Sequence, residues 1–281
     1  MHTVDYQELQ LQSKDGTALF TREWRPTGEP KAWVAMSHGQ SEHSGRYEHV
    51  GRTLSERGYA LVMPDLHGHG KSEGKRGHIN RFSQYTDDLT AVIEYIKSKN
   101  PASLILGGHS LGGLIASTVA IESSIGVNGL FLSGAAFRLG FNPPGLKLLA
   151  ARVLSLILPR LQMGNEINIE DLTQDKNIVE KQRNDPLNHG FATPRFLTEF
   201  LKAQRKALEQ ADSLSLPLLV LHGEQDKLIS VSGSEDFYEA VDSKNKKLIV
   251  YKGFFHEIFN ELDRIQVLLD LINWLESLKS T

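Results

Sequence analysis

The chain has 281 residues, enough for one large domain or for a core that carries an insertion. Its 40% hydrophobic and 23% charged content is ordinary for a soluble globular protein, and a net charge of -3 gives no reason to expect nucleic acid or a strongly anionic surface as partner. The lack of cysteine excludes disulfides, thiolate metal sites and a cysteine nucleophile.

The first eight residues, Met1 to Glu8, are polar and acidic, unlike a signal peptide. The longest apolar stretch, 146–161, is broken by Lys147, Arg152, Pro159 and Arg160, and is too short and too charged to span a bilayer. A cytoplasmic protein is the expectation. Eight runs then predict strands: 6–12, 17–24, 32–37, 60–63, 104–107, 129–132, 218–221 and 247–251. The first two alternate and are joined by Ser13-Lys14-Asp15-Gly16, a hairpin signal. The later ones are short and apolar, as buried parallel strands are. Helical patterns occupy 46–57, which ends at Gly58, and 82–99, which ends before Pro101. Near the C-terminus Ile265, Leu268, Leu269, Ile272 and Leu275 form an apolar stripe. This alternation predicts an α/β fold, an eight-stranded mostly parallel sheet with helices on both faces.

Residues 137–211 break the rhythm. They show no strand signal and contain Pro143, Pro144, Pro159, Pro186 and Pro194. Such a length exceeds ordinary connections. It predicts a helical cap inserted over the carboxyl ends of the strands, dividing the core into 1–136 and 212–281. Within it Leu146, Leu149, Val153, Leu156 and Ile157 recur at helical spacing. They suit an amphipathic helix partly buried over a pocket and partly free to touch a membrane surface, or simply the cap's own core.

Two stretches match Gly-x-Ser-x-Gly. Gly108-His109-Ser110-Leu111-Gly112 lies between the strand-like run 104–107 and an apolar run, 113–120, that reads as a buried helix. Gly70-Lys71-Ser72-Glu73-Gly74 has no strand directly before it and no apolar helix after it, so it reads as a loop. A serine on a sharp strand-to-helix turn is a nucleophile elbow, with the helix N-terminus behind it favouring developing negative charge. Such a hydroxyl needs a base. Elbow folds order their triad serine, acid, histidine. Asp226 follows the seventh strand and His256 the eighth, which makes His256 the candidate base and Asp226 the residue that holds its tautomer. His222 is the rival base and Glu224 the rival acid, and by position alone Asp226 is equally a turn residue or a helix cap. The backbone N–H groups of Leu111 and Gln40 are candidates for the oxyanion hole. This chemistry calls for no metal and no organic cofactor.

Taken together these residues resemble the monoacylglycerol lipase and lysophospholipase family of α/β-hydrolases, the serine aminopeptidase S33-like hydrolases. The segment from His38 to Tyr47 is similar to that family's His-Gly-x-x-Glu-His-Ser-x-Arg-Tyr motif, and Asp65 to Ser72 to its Asp-x-x-Gly-x-Gly-x-Ser loop. Asp185-Pro186-Leu187, His256-Glu257 and Asn260-Glu261 continue the match. The resemblance implies a serine ester hydrolase that takes a fatty acid from a monoacylglycerol or lysophospholipid through an acyl-enzyme on Ser110. It also implies that Glu42 and Arg46 help place the polar head group, although charges near a first helix are equally a solvated pair. A general carboxylesterase or an acyltransferase with the same triad is the neighbouring reading. Two others are weaker: a non-catalytic binding protein on this fold, and a nucleotide-binding loop at Gly70-Lys71-Ser72, where Asp65 stands in place of the required glycine.

Overall fold

A computed structural model describes residues 3–122 and 126–278; Met1 and His2, which open the polar N-terminal segment, lie outside the described residues. The chain opens with a hairpin of β1 (Val4–Gln12) and β2 (Ala18–Pro26). Its turn is closed by Ser13 N–H to Thr17 O and by Gly16 N–H to Ser13 O. Strands and helices then alternate: β3 (Trp33–Ser37), α1 (Glu48–Glu56), β4 (Ala60–Pro64), α2 (Ser83–Lys97), β5 (Leu104–His109), α3 (Leu111–Glu122) and β6 (Gly129–Ser133). A long excursion holds α4 (Gly145–Ile157), β7 (Met163–Gly164), α5 (Lys176–Asn184), β8 (Phe191–Ala192) and α6 (Pro194–Glu209). After it come β9 (Leu218–Gly223), α7 (Val231–Ala240), β10 (Lys246–Tyr251) and α8 (Arg264–Ser277).

Among the described residues eight strands form one sheet in the order β1-β2-β4-β3-β5-β6-β9-β10. β2 runs antiparallel to both β1 and β4, and every later pairing is parallel. The strand residues alternate between two cores, as the period of two requires. Val34, Met36, Leu61, Met63, Ile105, Phe131, Leu219 and Leu221 pack with α1 and α8. Ala35, Val62, Leu104, Leu106, Leu130, Leu132 and Val220 pack with α2 and α3. Each fully buried Leu or Phe stabilises the fold by about 1.5–3 kcal/mol. The parallel registers place Ser37 opposite Gly108, His109 opposite Ser133, and Ser133 opposite Leu221. The carboxyl ends of β3, β5, β6 and β9 therefore share one rim.

The eight-stranded mostly parallel sheet expected from sequence is observed. Three details correct the sequence reading. Residues 137–211 are not free of strand: β7 and β8 pair antiparallel, two residues each, too short to leave an alternating signal. The helix expected from 46 starts at Glu48, because Ser44–Tyr47 first forms a 3₁₀ turn. The stripe of α4 turns outward: Leu146 is 79% exposed and Leu156 78%, while Ala151 and Ser155 are buried. Ser155 Oγ lies 3.0 Å from Thr198 Oγ1, and Arg195 donates to its carbonyl. Small residues let α4 seat closely on α6, which pushes the leucines to the far side. Phe196, Phe200, Ala203 and Ala207 of α6 join the α2–α3 core, and the helix starts on a Thr193 cap with Pro194 in its first turn.

Candidate active site

Ser110 occupies the junction of β5 and α3 with φ 54°, the left-handed region that a non-glycine residue enters only when its surroundings hold it there. Its N–H donates to Ser133 O at 2.9 Å, and its own carbonyl accepts from Gly113 and Ala136. The flanking glycines are needed for space. A Cβ on Gly108 would stand 2.1 Å from Gly112 O, and one on Gly112 would stand 2.1 Å from Ser37 O. The Leu111 N–H belongs to the first turn of α3, where a helix leaves its donors without intrahelical acceptors.

His256 and Asp226 meet above the ends of β9 and β10. His256 Nδ1 lies 2.6 Å from Asp226 Oδ2, and both side chains are buried. The other oxygen of Asp226 accepts the N–H groups of Leu228 and Ile229, each at 2.9 Å. Burial works against the Asp226 charge, but the His256 and His222 rings prevail and hold the carboxyl far below the usual range. Burial likewise opposes charging His256, yet the facing carboxylate raises its pKa. This arrangement can take a proton at His256 Nε2 while Asp226 fixes Nδ1–H.

The rivals sit differently. His222 is fully buried, its Nδ1 2.8 Å from Ser234 Oγ and its Nε2 3.1 Å from Asp226 Oδ2. Glu224 is exposed and accepts the Gly253 N–H. Ser72 is buried and structural: its Oγ accepts the Phe20 N–H and donates to Asp65 O.

The turn after β3 runs beside Ser110, since a Cβ on Gly39 would lie 3.2 Å from the Ser110 Cβ. His38 pins that turn, with Nδ1 2.7 Å from Gly39 O and Nε2 accepting the Leu66 N–H. The Gln40 side chain reaches out to Phe191 O of β8 at 3.4 Å. Glu42 and Arg46 are not a solvated pair. Glu42 Oε1 accepts the Gly39 N–H at 2.6 Å and the Tyr47 hydroxyl at 2.7 Å, and Oε2 accepts Arg46 Nη1 at 2.6 Å. Arg46 also grips Glu257 with two bonds, of 2.7 and 2.6 Å. Protein donors thus already engage both Glu42 oxygens.

Sequence reasoning passed over His109 and Glu257. The His109 ring centroid lies 4.7 Å from that of His256. Burial and the neighbouring His256 lower the His109 pKa to about 4, which keeps it neutral. Adjacency to Ser110 was the only signal His109 offered, and Glu257 stood in the matched His256-Glu257 motif without a role.

The comparisons agree with this architecture. The family model described as serine aminopeptidase, S33, matches residues 28–263. The chain is 34% identical over 270 residues to a monoglyceride lipase of Homo sapiens, covering 94% of this chain and 88% of that one. It is 32% identical over 240 residues to phospholipase YtpA of Bacillus subtilis (strain 168), covering 85% and 92%. Among solved structures, a monoacylglycerol lipase of Paleococcus ferrophilus superimposes with TM-score 0.85 at 29% identity, covering 92% of this chain and 99% of that one. The chain belongs to the serine aminopeptidase S33 family, as a serine ester hydrolase of the α/β-hydrolase fold.

Proposed function

We propose that the protein releases a fatty acid from single-chain lipid esters, monoacylglycerols or lysophospholipids, through an acyl-enzyme on Ser110. The observation that carries this reading is the 2.6 Å His256–Asp226 pair on the rim that also carries the strained Ser110. The relatives named as monoglyceride lipase and phospholipase support the lipid ester class. In the first half-reaction His256 Nε2 takes the Ser110 proton as Oγ attacks the ester carbonyl carbon. The Leu111 and Gln40 N–H groups receive the oxyanion. His256⁺ then protonates the departing alkoxide of the glycerol or head group. In the second, His256 deprotonates water, which attacks the acyl-enzyme and frees the acid. Asp226 stays ionised throughout.

Residues 137–211 act as a cap in this reading. Its outer face presents Leu146, Leu149, Val153, Leu156 and Ile157 to solvent, with Lys147 and Arg152 beside them. So large an exposed apolar stripe marks a contact surface, here a lipid surface entered only at the interface and not spanned. No helix among the described residues is long and apolar enough to cross a membrane.

The test is a hydrolysis panel of monoacylglycerols, lysophospholipids and short p-nitrophenyl esters, with a fluorophosphonate probe whose adduct is located by peptide mass. Labelling of Ser110 and turnover of long single-chain esters are the expected results. Labelling elsewhere, or turnover confined to short esters, overturns the reading.

A further inference from the structure

A buried ionic cluster joins the two halves of the site. Glu42 lies on the turn that carries Gln40, Arg46 in the 3₁₀ turn before α1, and Glu257 directly after His256. Glu42 is 3% exposed and Glu257 4%, and the Arg46 side chain is 9% exposed. Every oxygen of the two carboxylates is engaged: Glu257 Oε2 also accepts Asn260 Nδ2 at 2.8 Å. Two anions against one cation leave one negative charge. Breaking such a cluster at one member is costly, because it strands a buried charge. A salt bridge kept only for stability would serve no better than packed apolar residues, so its placement calls for another explanation.

We propose that Glu42, Arg46 and Glu257 are positioning residues for ester hydrolysis, a clamp that holds the oxyanion-hole turn in register with the His256 loop and sets an uncompensated negative charge behind the imidazole. The inference rests on the Ser110 reading above. The first function is geometric. The 2.6 Å bond from Gly39 N–H to Glu42 fixes the His38–Gly39 peptide, and together with the 2.7 Å contact of His38 Nδ1 to Gly39 O it holds the next peptide, which carries the Gln40 N–H, before substrate arrives. Arg46 carries that constraint to Glu257 and hence to His256. The second is electrostatic. The groups that face His256 are Asp226 from the loop after β9, Glu42 from the turn after β3, Glu257 on its own loop and His109 from β5. Arg46 offsets one of the glutamates, and His222 lies behind Asp226, 3.1 Å from its Oδ2. With His109 neutral, the remaining charge favours the imidazolium that exists while the tetrahedral intermediate does.

Three variants separate these roles on a soluble short ester, each checked for native Tm and fluorophosphonate labelling of Ser110. Glu42→Gln should lower kcat about tenfold or more with KM changed less than about twofold, since positioning acts in the transition state. Its acid limb of kcat/KM should move down by about one pH unit, because an imidazole that loses a nearby anion protonates less readily. Arg46→Lys keeps the charge but not the fork, and should lower kcat while leaving the acid limb in place. Tyr47→Phe, mild enough to fold if Glu42→Gln does not, removes one donor to Glu42 and should cost about three- to tenfold in kcat. Folded variants with wild-type kcat and wild-type acid limb overturn the clamp. So does a KM increase confined to monoacylglycerols, which would make Glu42 a head-group contact. A wild-type protein that the probe fails to label at Ser110 defeats the underlying reading instead.

Discussion

Ser72 Oγ donates to the carbonyl oxygen of Asp65 at 2.5 Å. The same hydroxyl accepts the Phe20 N–H, so it ties the 65–72 loop to β2 and is not free to attack anything. Ser110 stands instead on a strained turn at the sheet rim. Two identical patterns in one chain thus have different surroundings, because a buried helix leaves Ser110 and a loop leaves Ser72.

Ser110→Ala should abolish ester hydrolysis by about a millionfold, the scale found for triad hydrolases of another fold. Ser72→Ala should lower stability by about 1–3 kcal/mol, through the stranded Phe20 N–H, and keep kcat within a few-fold of wild type. Steady-state kinetics and thermal unfolding of both variants decide it. A dead Ser72→Ala with wild-type Tm, beside an active Ser110→Ala, would reverse the assignment.

Asp226→Asn should lower kcat by roughly 10⁴ through the wrong imidazole tautomer. Its Oδ1 can still accept the Leu228 and Ile229 N–H groups, so the loop should survive. Glu224→Gln should change little, being an exposed contact to Gly253. Together with these, the pH profile reports the base. The His256 pKa is raised, so activity on a soluble ester should fall as pH drops through a midpoint above 6.5. A midpoint near 4 would instead point to His109, whose pKa burial lowers to about 4.

The eight strands of a mostly parallel sheet and the chain order of Ser110, Asp226 and His256 were legible because each rests on local pattern: apolar runs, a Gly-x-Ser-x-Gly turn, polar residues just past strand ends. The bonds made by Glu42 and Arg46 were not. Their partners are Gly39, Tyr47 and Glu257, the last 211 positions from Arg46, and no periodicity signals a pairing at that range. The sequence left the α4 stripe open between a surface contact and the cap's own core for a related reason. An apolar stripe at helical spacing looks the same whether a neighbour covers it, and only the seat of Ala151 and Ser155 on α6 shows which side is inner.

Asp88 of α2 offers a test of stability apart from catalysis. It is fully buried, with Oδ2 accepting the His67 N–H at 2.8 Å. Burial pushes its carboxyl up to about 7. A raised acid binds more protons when folded, so its burial is tolerated at low pH and costs stability as pH rises from the unfolded value near 3.8 through about 7. Asp88→Asn keeps an oxygen for His67 and carries no charge. It should stabilise the fold at pH 8 by roughly 1–3 kcal/mol and do much less at pH 5. Denaturant melts at both pH values measure the difference. Equal effects at the two would mean that Asp88 is already neutral, or already solvated, across the range.

The exposed face of α4 makes the sharpest prediction about substrate delivery. Leu146, Leu149 and Leu156 point to solvent, and the helix is held from behind by Ala151, Ser155 and Arg195. Replacing the three leucines with serine should therefore leave the fold and the seat on α6 intact. If each leucine half-inserts into a lipid surface it contributes about 1 kcal/mol, so the triple variant should bind vesicles roughly a hundredfold more weakly. Hydrolysis of vesicle-borne monoacylglycerol should fall in step, while a water-soluble ester should be cleaved at the wild-type rate. Flotation with neutral phosphatidylcholine vesicles reads the binding, and adding salt should weaken it little, because the contact is apolar. Equal losses on soluble and vesicle substrates would show that the stripe supports the cap rather than a lipid contact, and unchanged vesicle binding would place the docking surface elsewhere.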